Sequence, residues 1–228
     1  MKDTLNQPTT TNIDSSEITQ EKTLSIIDLM TSGGTGGNII MIVLGILSVF
    51  AIYILIERIS SLNKAKKGNP DFINKINKLV NTNNFSEAIS ACHQENSTIS
   101  RMIEKGLKRN GKPFNEIHSS MENQGKLEVN RLEHNLTILA TISGAAPMIG
   151  FLGTVIGMIL AFHDMASAGG NIDVEMLSKG IYTAMITTVA GLAVGIVSYI
   201  SYNFLLSKID KIIFSMENAS SEFLDNLQ

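Results

Sequence analysis

Seven hydroxyl side chains are the deepest polar groups of this sequence. Thr141, Ser143 and Thr154 lie in one uncharged run, and Thr183, Thr187, Thr188 and Ser198 lie in another. A hydroxyl donates one hydrogen bond and accepts two, so it can orient water or solvate a carboxylate. It has no accessible pKa and cannot itself take up and release a proton. Small residues stand around these hydroxyls at helical spacing: Ala146, Gly150 and Thr154 fall at steps of four, as do Gly153, Gly157 and Ala161, and Thr183, Thr187, Gly191 and Gly195. Such stripes let helix backbones approach closely, a main source of association in lipid. On spacing alone they read as the packing seam between two helices. Pro147 falls inside the first run, where it would kink a helix and free a backbone carbonyl. An ion pathway usually carries an ionisable side chain inside the bilayer. These runs hold no Asp, Glu, Lys or Arg. If the chain conducts protons, a partner must bring the carboxylate.

The elements that position these groups follow from where charge is missing. Residues 29–56, 134–163 and 180–207 contain no Asp, Glu, Lys or Arg, and at about 1.5 Å per residue each can cross a hydrocarbon core of roughly 30 Å. The expected fold is therefore all-α, an integral membrane protein with three transmembrane helices, over 38–56, 137–162 and 180–206. Of the 18 Lys and Arg residues, thirteen fall in 57–136. Cytoplasmic loops retain positive charge, so this block is expected inside the cell. Residues 1–37 and the short 163–179 loop are then periplasmic, and the 207–228 tail is cytoplasmic.

The first apolar run, Ile39 to Ile56, exceeds the 7 to 15 residues of a signal-peptide core, and its leader is acidic, so it reads as retained. The leader is expected to be loose up to about Gln20. Leu24, Ile26, Ile27, Leu29 and Met30 suit a short interfacial helix, which the cluster Gly33, Gly34, Gly36 and Gly37 separates from the span. Within 57–136, Pro70 suits a first helical turn, followed at helical spacing by Phe72, Ile73, Ile76, Leu79 and Val80. Phe85, Ala88, Ile89 and Cys92 repeat the pattern, as do Ile99, Met102, Ile103, Gly106 and Leu107. After Pro113, the run through Ile117, Met121, Leu132, Leu136 and Leu139 predicts one uninterrupted helix entering the second span. A period of three to four residues from Ile209 to Leu227 likewise extends the third span into the tail. His163 and Asp164 are expected as solvated loop residues.

Composition excludes several classes. A net charge of -3 and 6% aromatics argue against nucleic-acid binding. The single Cys92 and four scattered histidines offer neither a disulfide nor zinc-ligand spacing. No nucleophile, base or metal cluster suggests an enzyme, and no cofactor is implied. Three spans with short loops also lack the inverted repeats of a solute carrier.

The string from Gly144 to Met158, GAAPMIGFLGTVIGM, resembles the second-span motif of the MotA, TolQ and ExbB family of ion-driven motor channel subunits. The segment from Gly180 to Leu205, with Thr188, Gly191 and Leu192, is similar to the family's third span. So are the first span ending in Glu57 and Arg58, the basic block and the three-span layout. The likeness covers essentially everything after residue 22 and is nearest the ExbB and TolQ branch.

The resemblance implies a homopentamer around a dimer of single-span partners of the ExbD or TolR type, whose membrane aspartate carries the proton. It implies the cytoplasmic (inner) membrane of a Gram-negative bacterium, and work delivered through a TonB-like protein to outer-membrane receptors. By carry-over, Thr154 and Thr188 face the central pore, Pro147 shapes the helix beside them, and Gly150, Gly153, Gly157, Gly191 and Gly195 pack the spans. Glu57 and Arg58 mark the headgroup level, with gating or partner contact as the alternative role. There is one departure: ExbB and TolQ relatives usually carry a glutamate five residues before the third-span threonine, where this chain has Thr183. Proton remains the expected ion, sodium the alternative, and TolQ-like or gliding and flagellar-stator-type motors the alternative settings.

Overall fold

Buried side chains recur every three or four residues along one helix, from Ala184 and Thr187 through Leu205 and Ile209 to Met216 and Phe223. That period keeps one face of a straight helix turned inward over its whole length. The computed structural model describes residues 35–66, 71–167 and 174–227. It places these positions on α7, Val174–Asp225, an unbroken helix of 52 residues. The third span and its extension are thus one element, as the sequence pattern predicts. The other helices are α1 (Thr35–Lys66), α2 (Phe72–Asn81), α3 (Phe85–Glu95), α4 (Thr98–Leu107), α5 (Phe114–Glu133) and α6 (Leu136–Ser167). Among the described residues there is no strand.

Three helices are long and apolar enough to cross a membrane, and the protein is an all-α membrane protein. Their outward faces carry Ile46, Val49, Phe151, Ile159, Val189 and Ile196, all exposed. In water such a surface would be a standing association hazard; against lipid it is the solvated face. α6 and α7 run antiparallel and close, with Gly157 against Ala184, Gly150 against Gly191, and Pro147 against Gly195. α1 lies alongside, and Gly37 faces Thr183.

Beyond the spans, α2, α4 and α5 pack on the extension of α7, and α3 packs on α2 and α4. Phe72, Ile76 and Val80 of α2, Ala88 and Cys92 of α3, and Met102, Ile103 and Leu107 of α4 are buried. Ile73, Leu79, Phe85, Ile89 and Ile99 pack partly buried against them. α4 starts on a reciprocal cap in which the Ser100 amide donates to Ser97 Oγ at 3.1 Å and the Ser97 amide donates to Ser100 Oγ at 2.9 Å. Two of the orphan donors at a helix start are satisfied this way.

The structure differs from the sequence reading at four places. The long helix expected from Pro113 into the second span is interrupted: α5 ends at Glu133, α6 starts at Leu136, and Asn135 between them has φ +66°. Asparagine tolerates this left-handed conformation better than most residues, and Asn83 and Asn96 use it at the ends of α2 and α3. α1 begins at Thr35, ahead of the expected start at 38, with Gly36 and Gly37 in its first turn, and it runs past Glu57 to Lys66. His163 and Asp164 are exposed but lie within α6. The leader with its proposed interfacial helix, Pro70, and residues 168–173 lie outside the described residues.

Candidate functional site

Where α6 crosses α7, side chains have no room and backbones meet. A β-carbon on Gly150 would stand 2.6 Å from the Thr187 carbonyl, one on Gly191 2.6 Å from the Ala146 carbonyl, and one on Gly157 2.8 Å from the Ala184 β-carbon. Gly153 is filled by the side chain of Thr187. Gly195 receives the Pro147 ring, its missing β-carbon falling 2.5 Å from Pro147 Cγ and 3.1 Å from the Ser143 carbonyl. Pro147 cannot donate to that carbonyl, so the oxygen released by the ring is turned against the neighbouring helix. α6 nonetheless continues through Pro147 from Leu136 to Ser167. All five glycines of the sequence-derived stripes lie in this one interface.

Close approach brings hydroxyls and carbonyls of the two helices together. Thr154 Oγ1 donates to the Ala184 carbonyl at 3.0 Å, and Thr188 Oγ1 lies 3.2 Å from the Gly150 carbonyl. The two hydroxyls also contact each other. Thr187, 1% exposed, reaches the Gly150 carbonyl at 3.1 Å and its own Ala184 carbonyl at 2.7 Å. Thr141, Ser143 and Ser201 instead bond back within their own helices, to Thr137, Ala140 and Val197. Thr154 and Thr188 therefore do not follow the common habit of membrane hydroxyls.

Both threonines are half-buried and retain an open side. Their protons are committed to backbone or to each other, and lone pairs remain available. The pair can therefore accept further hydrogen bonds, in a region without a charged side chain. Among the described residues no group of three or more His, Cys, Asp or Glu gathers in metal-binding geometry.

Thr183 stands apart from this cluster. It faces Gly37 of α1, whose missing β-carbon would lie 3.4 Å from Thr183 Cγ2, and it precedes Thr188 by about 7.5 Å along the helix axis. Thr187 is the residue that sequence spacing undervalued. It shared the stripe with Gly191, but only the observed crossing distinguishes the buried neighbour of Thr188 from Thr188 itself.

Glu57 and Arg58 form a second polar site at the other end of the spans. Arg58, 7% exposed, holds Glu57 through Nε at 2.7 Å and Nη2 at 2.6 Å, and donates through Nη1 to the Arg131 carbonyl at 3.2 Å. Glu57 also lies against Asn135. A cation bonded to a last-turn carbonyl satisfies an orphan acceptor and complements the helix dipole. The break between α5 and α6 is thereby pinned from α1. From Arg131 the polar chain continues: its Nη1 reaches Glu128 at 3.1 Å, and Glu128 receives Arg101 at 2.9 and 2.6 Å and Gln124 at 2.9 Å.

Over 194 residues the chain is 29% identical to a biopolymer transport protein ExbB homolog of Methanothermobacter thermautotrophicus, covering 85% of this chain and 67% of the relative. It is 46% identical over 79 residues to the biopolymer transport protein ExbB of Helicobacter pylori, covering 35% of this chain and 54% of that one. It is 33% identical over 96 residues to the Tol-Pal system protein TolQ of Haemophilus influenzae, covering 42% of each. The matched part thus spans about two thirds of the first relative and about half of the other two. Residues 94–218, more than half of the sequence and inclusive of the whole α6–α7 crossing, match the family as such: the chain belongs to the MotA/TolQ/ExbB proton channel family.

Proposed function

We propose that this chain is an ExbB-like motor-channel subunit in the inner membrane of a Gram-negative bacterium. It works with a single-span ExbD- or TolR-like partner whose membrane aspartate carries the proton. One observation carries this reading: Thr154 and Thr188 hold each other across α6 and α7, open on one side, in spans without an acid of their own. The pair accepts hydrogen bonds from the protonated aspartate and from water leading to it, and Pro147 and the glycine seam hold the two hydroxyls at that distance. Proton release then leaves a carboxylate beside a low-polarity wall, which favours its movement to the next subunit. A homopentamer provides the successive stations. The N-terminus lies in the periplasm, the charged block in the cytoplasm, and work leaves through a TonB-like protein. Each charge moved across 100 mV supplies about 2.3 kcal/mol, so a few ions support one conformational step.

The test is proton uptake into liposomes, read with an entrapped pH dye. Uptake is expected only when this chain and its partner are reconstituted together, and Thr154→Val with Thr188→Val should abolish it while the complex still assembles. Robust uptake by this chain alone, or unimpaired uptake by the double variant, would overturn the proposal and favour a scaffold. Thr183, where relatives usually place a glutamate, favours a second reading in which sodium is the ion; flux that follows a sodium gradient at constant pH distinguishes it.

A further inference from the structure

A cavity of about 530 Å³ opens where the spans give way to the charged helices, between the end of α1, the starts of α2 and α4, and the extension of α7. Leu62, Phe72, Ile73 and Ile212 form its apolar walls, and Lys208 and Lys211 stand at its bilayer end. None of the ion pairs among the described residues involves either lysine. Glu222, the acid on the wall, follows Lys211 by eleven residues, about 16 Å further along the axis, where Asn77 Nδ2 donates to it at 3.0 Å. The cavity is therefore basic and greasy at one end and neutralised at the other.

Its depth relative to the bilayer follows from the chain. Lys208 is the first charge after the uncharged run that ends at Ser207. Its ammonium sits 4.7 Å above the ring of Phe204, an exposed residue one turn back toward the apolar span. The side chain thus lies along apolar surface with its charge at the polar boundary, as long cationic side chains do at membrane interfaces. On α1, Leu62 follows Ile56, the end of the first uncharged run, by six residues, about 9 Å along the axis, which puts the inner wall on the side of the headgroup layer away from the hydrocarbon.

We propose that this cavity is a binding site for an anionic phospholipid of the adjoining leaflet. Its phosphate lies between Lys208 and Lys211, its headgroup enters the cavity toward Ser215, and its acyl chains run back over the exposed Phe204 toward the span. Basic pockets at this level attract anionic headgroups, and two cations outside any ion pair among the described residues make a neutral headgroup the poorer guest. A soluble phosphate ester shares the charge but has no acyl chain to lie along Phe204.

The test uses the full chain in neutral detergent with equal amounts of phosphatidylglycerol and phosphatidylcholine, and reads retained lipid by native mass spectrometry. Phosphatidylglycerol should be retained about tenfold over phosphatidylcholine, as expected for two uncompensated lysines. The ratio should fall to near one in Lys208→Gln with Lys211→Gln, and survive in Lys105→Gln with Lys112→Gln. Lys208→Arg with Lys211→Arg should keep it, and Ser215→Phe, which fills the cavity with both lysines present, should lose it; circular dichroism checks that each variant is folded. A preference that persists in the Gln pair or in the filled cavity, or is absent from the unaltered chain, overturns the proposal. Displacement by glycerol 3-phosphate as effective as by the lipid itself also overturns it, in favour of a soluble phosphate.

Discussion

Arg58 of α1 donates to the backbone carbonyl of Arg131, 73 residues later, at 3.2 Å. One guanidinium joins the end of the first span to the last turn of α5, next to the left-handed Asn135. If this contact fixes the break, Arg58→Ala should loosen residues 131–136 first. Hydrogen exchange there should rise well before exchange in α6.

Asn135 itself can be tested without touching Arg58. Its φ of +66° costs an ordinary L-residue about 1–2 kcal/mol. Asn135→Ala should lower the thermal midpoint, and Asn135→Gly should leave it nearly unchanged. Equal midpoints for both would show that the left-handed turn does not limit stability.

The glycine seam predicts a sharp division among substitutions. Gly191→Val drives a side chain into the Ala146 carbonyl and Gly150, and should destabilise the α6–α7 pair by about 3 kcal/mol. Gly45→Ala and Gly144→Ala meet nothing within 4 Å and should be silent in the same melt.

Thr187 and the Thr154–Thr188 pair should separate stability from transport. Thr187→Val leaves the buried Gly150 carbonyl with one bond fewer and should cost about 1 kcal/mol, with flux retained in the molecules that remain folded. Thr154→Val with Thr188→Val should do the reverse. Flux measured per folded complex decides between them.

Glu128 gives the acid limb a definite sign. Burial pushes its carboxyl up, but the bonds from Arg101, Arg131 and Gln124 outweigh burial and hold it below the ordinary carboxylate range. A depressed native pKa stabilises the fold above the unfolded value of about 4.3, and that contribution disappears as pH falls through the lower native value. Glu128→Gln should lower stability at pH 7 by about 2 kcal/mol and flatten the decline below pH 4 in chemical unfolding curves.

Cys92 supplies a cheap probe of the same bundle. Burial, with Glu104 nearby, pushes its thiol up to about 12, so about one molecule in ten thousand is thiolate at pH 8. Folded protein should react with a maleimide far more slowly than unfolded protein, and the rate should track opening of α3.

The spans were legible because bilayer thickness and the cost of buried charge act on long windows. The absence of Asp, Glu, Lys and Arg from 180–207 marks such a window without any partner being known. The small-residue steps from Ala146 and from Thr183 likewise located the α6–α7 seam, because close approach demands missing side chains wherever it occurs. Asn135 was not legible, since asparagine also sits inside helices, as Asn123 and Asn130 do in α5. The contacts around the left-handed turn at Asn135 come from Glu57 and Arg58, remote in sequence. The distinction between Thr187 and Thr188 was hidden for a related reason: neighbours on a helix differ by about 100° in direction, and sequence spacing does not say which direction meets Gly150.

The two arms of the central hairpin are mechanically unequal. α7 has 52 residues without an interruption, a rod of about 78 Å, so no joint separates Thr188 from Phe223. The opposing arm has an elbow at Asn135. Movement at the spans thus meets a continuous rod on one side and a joint on the other.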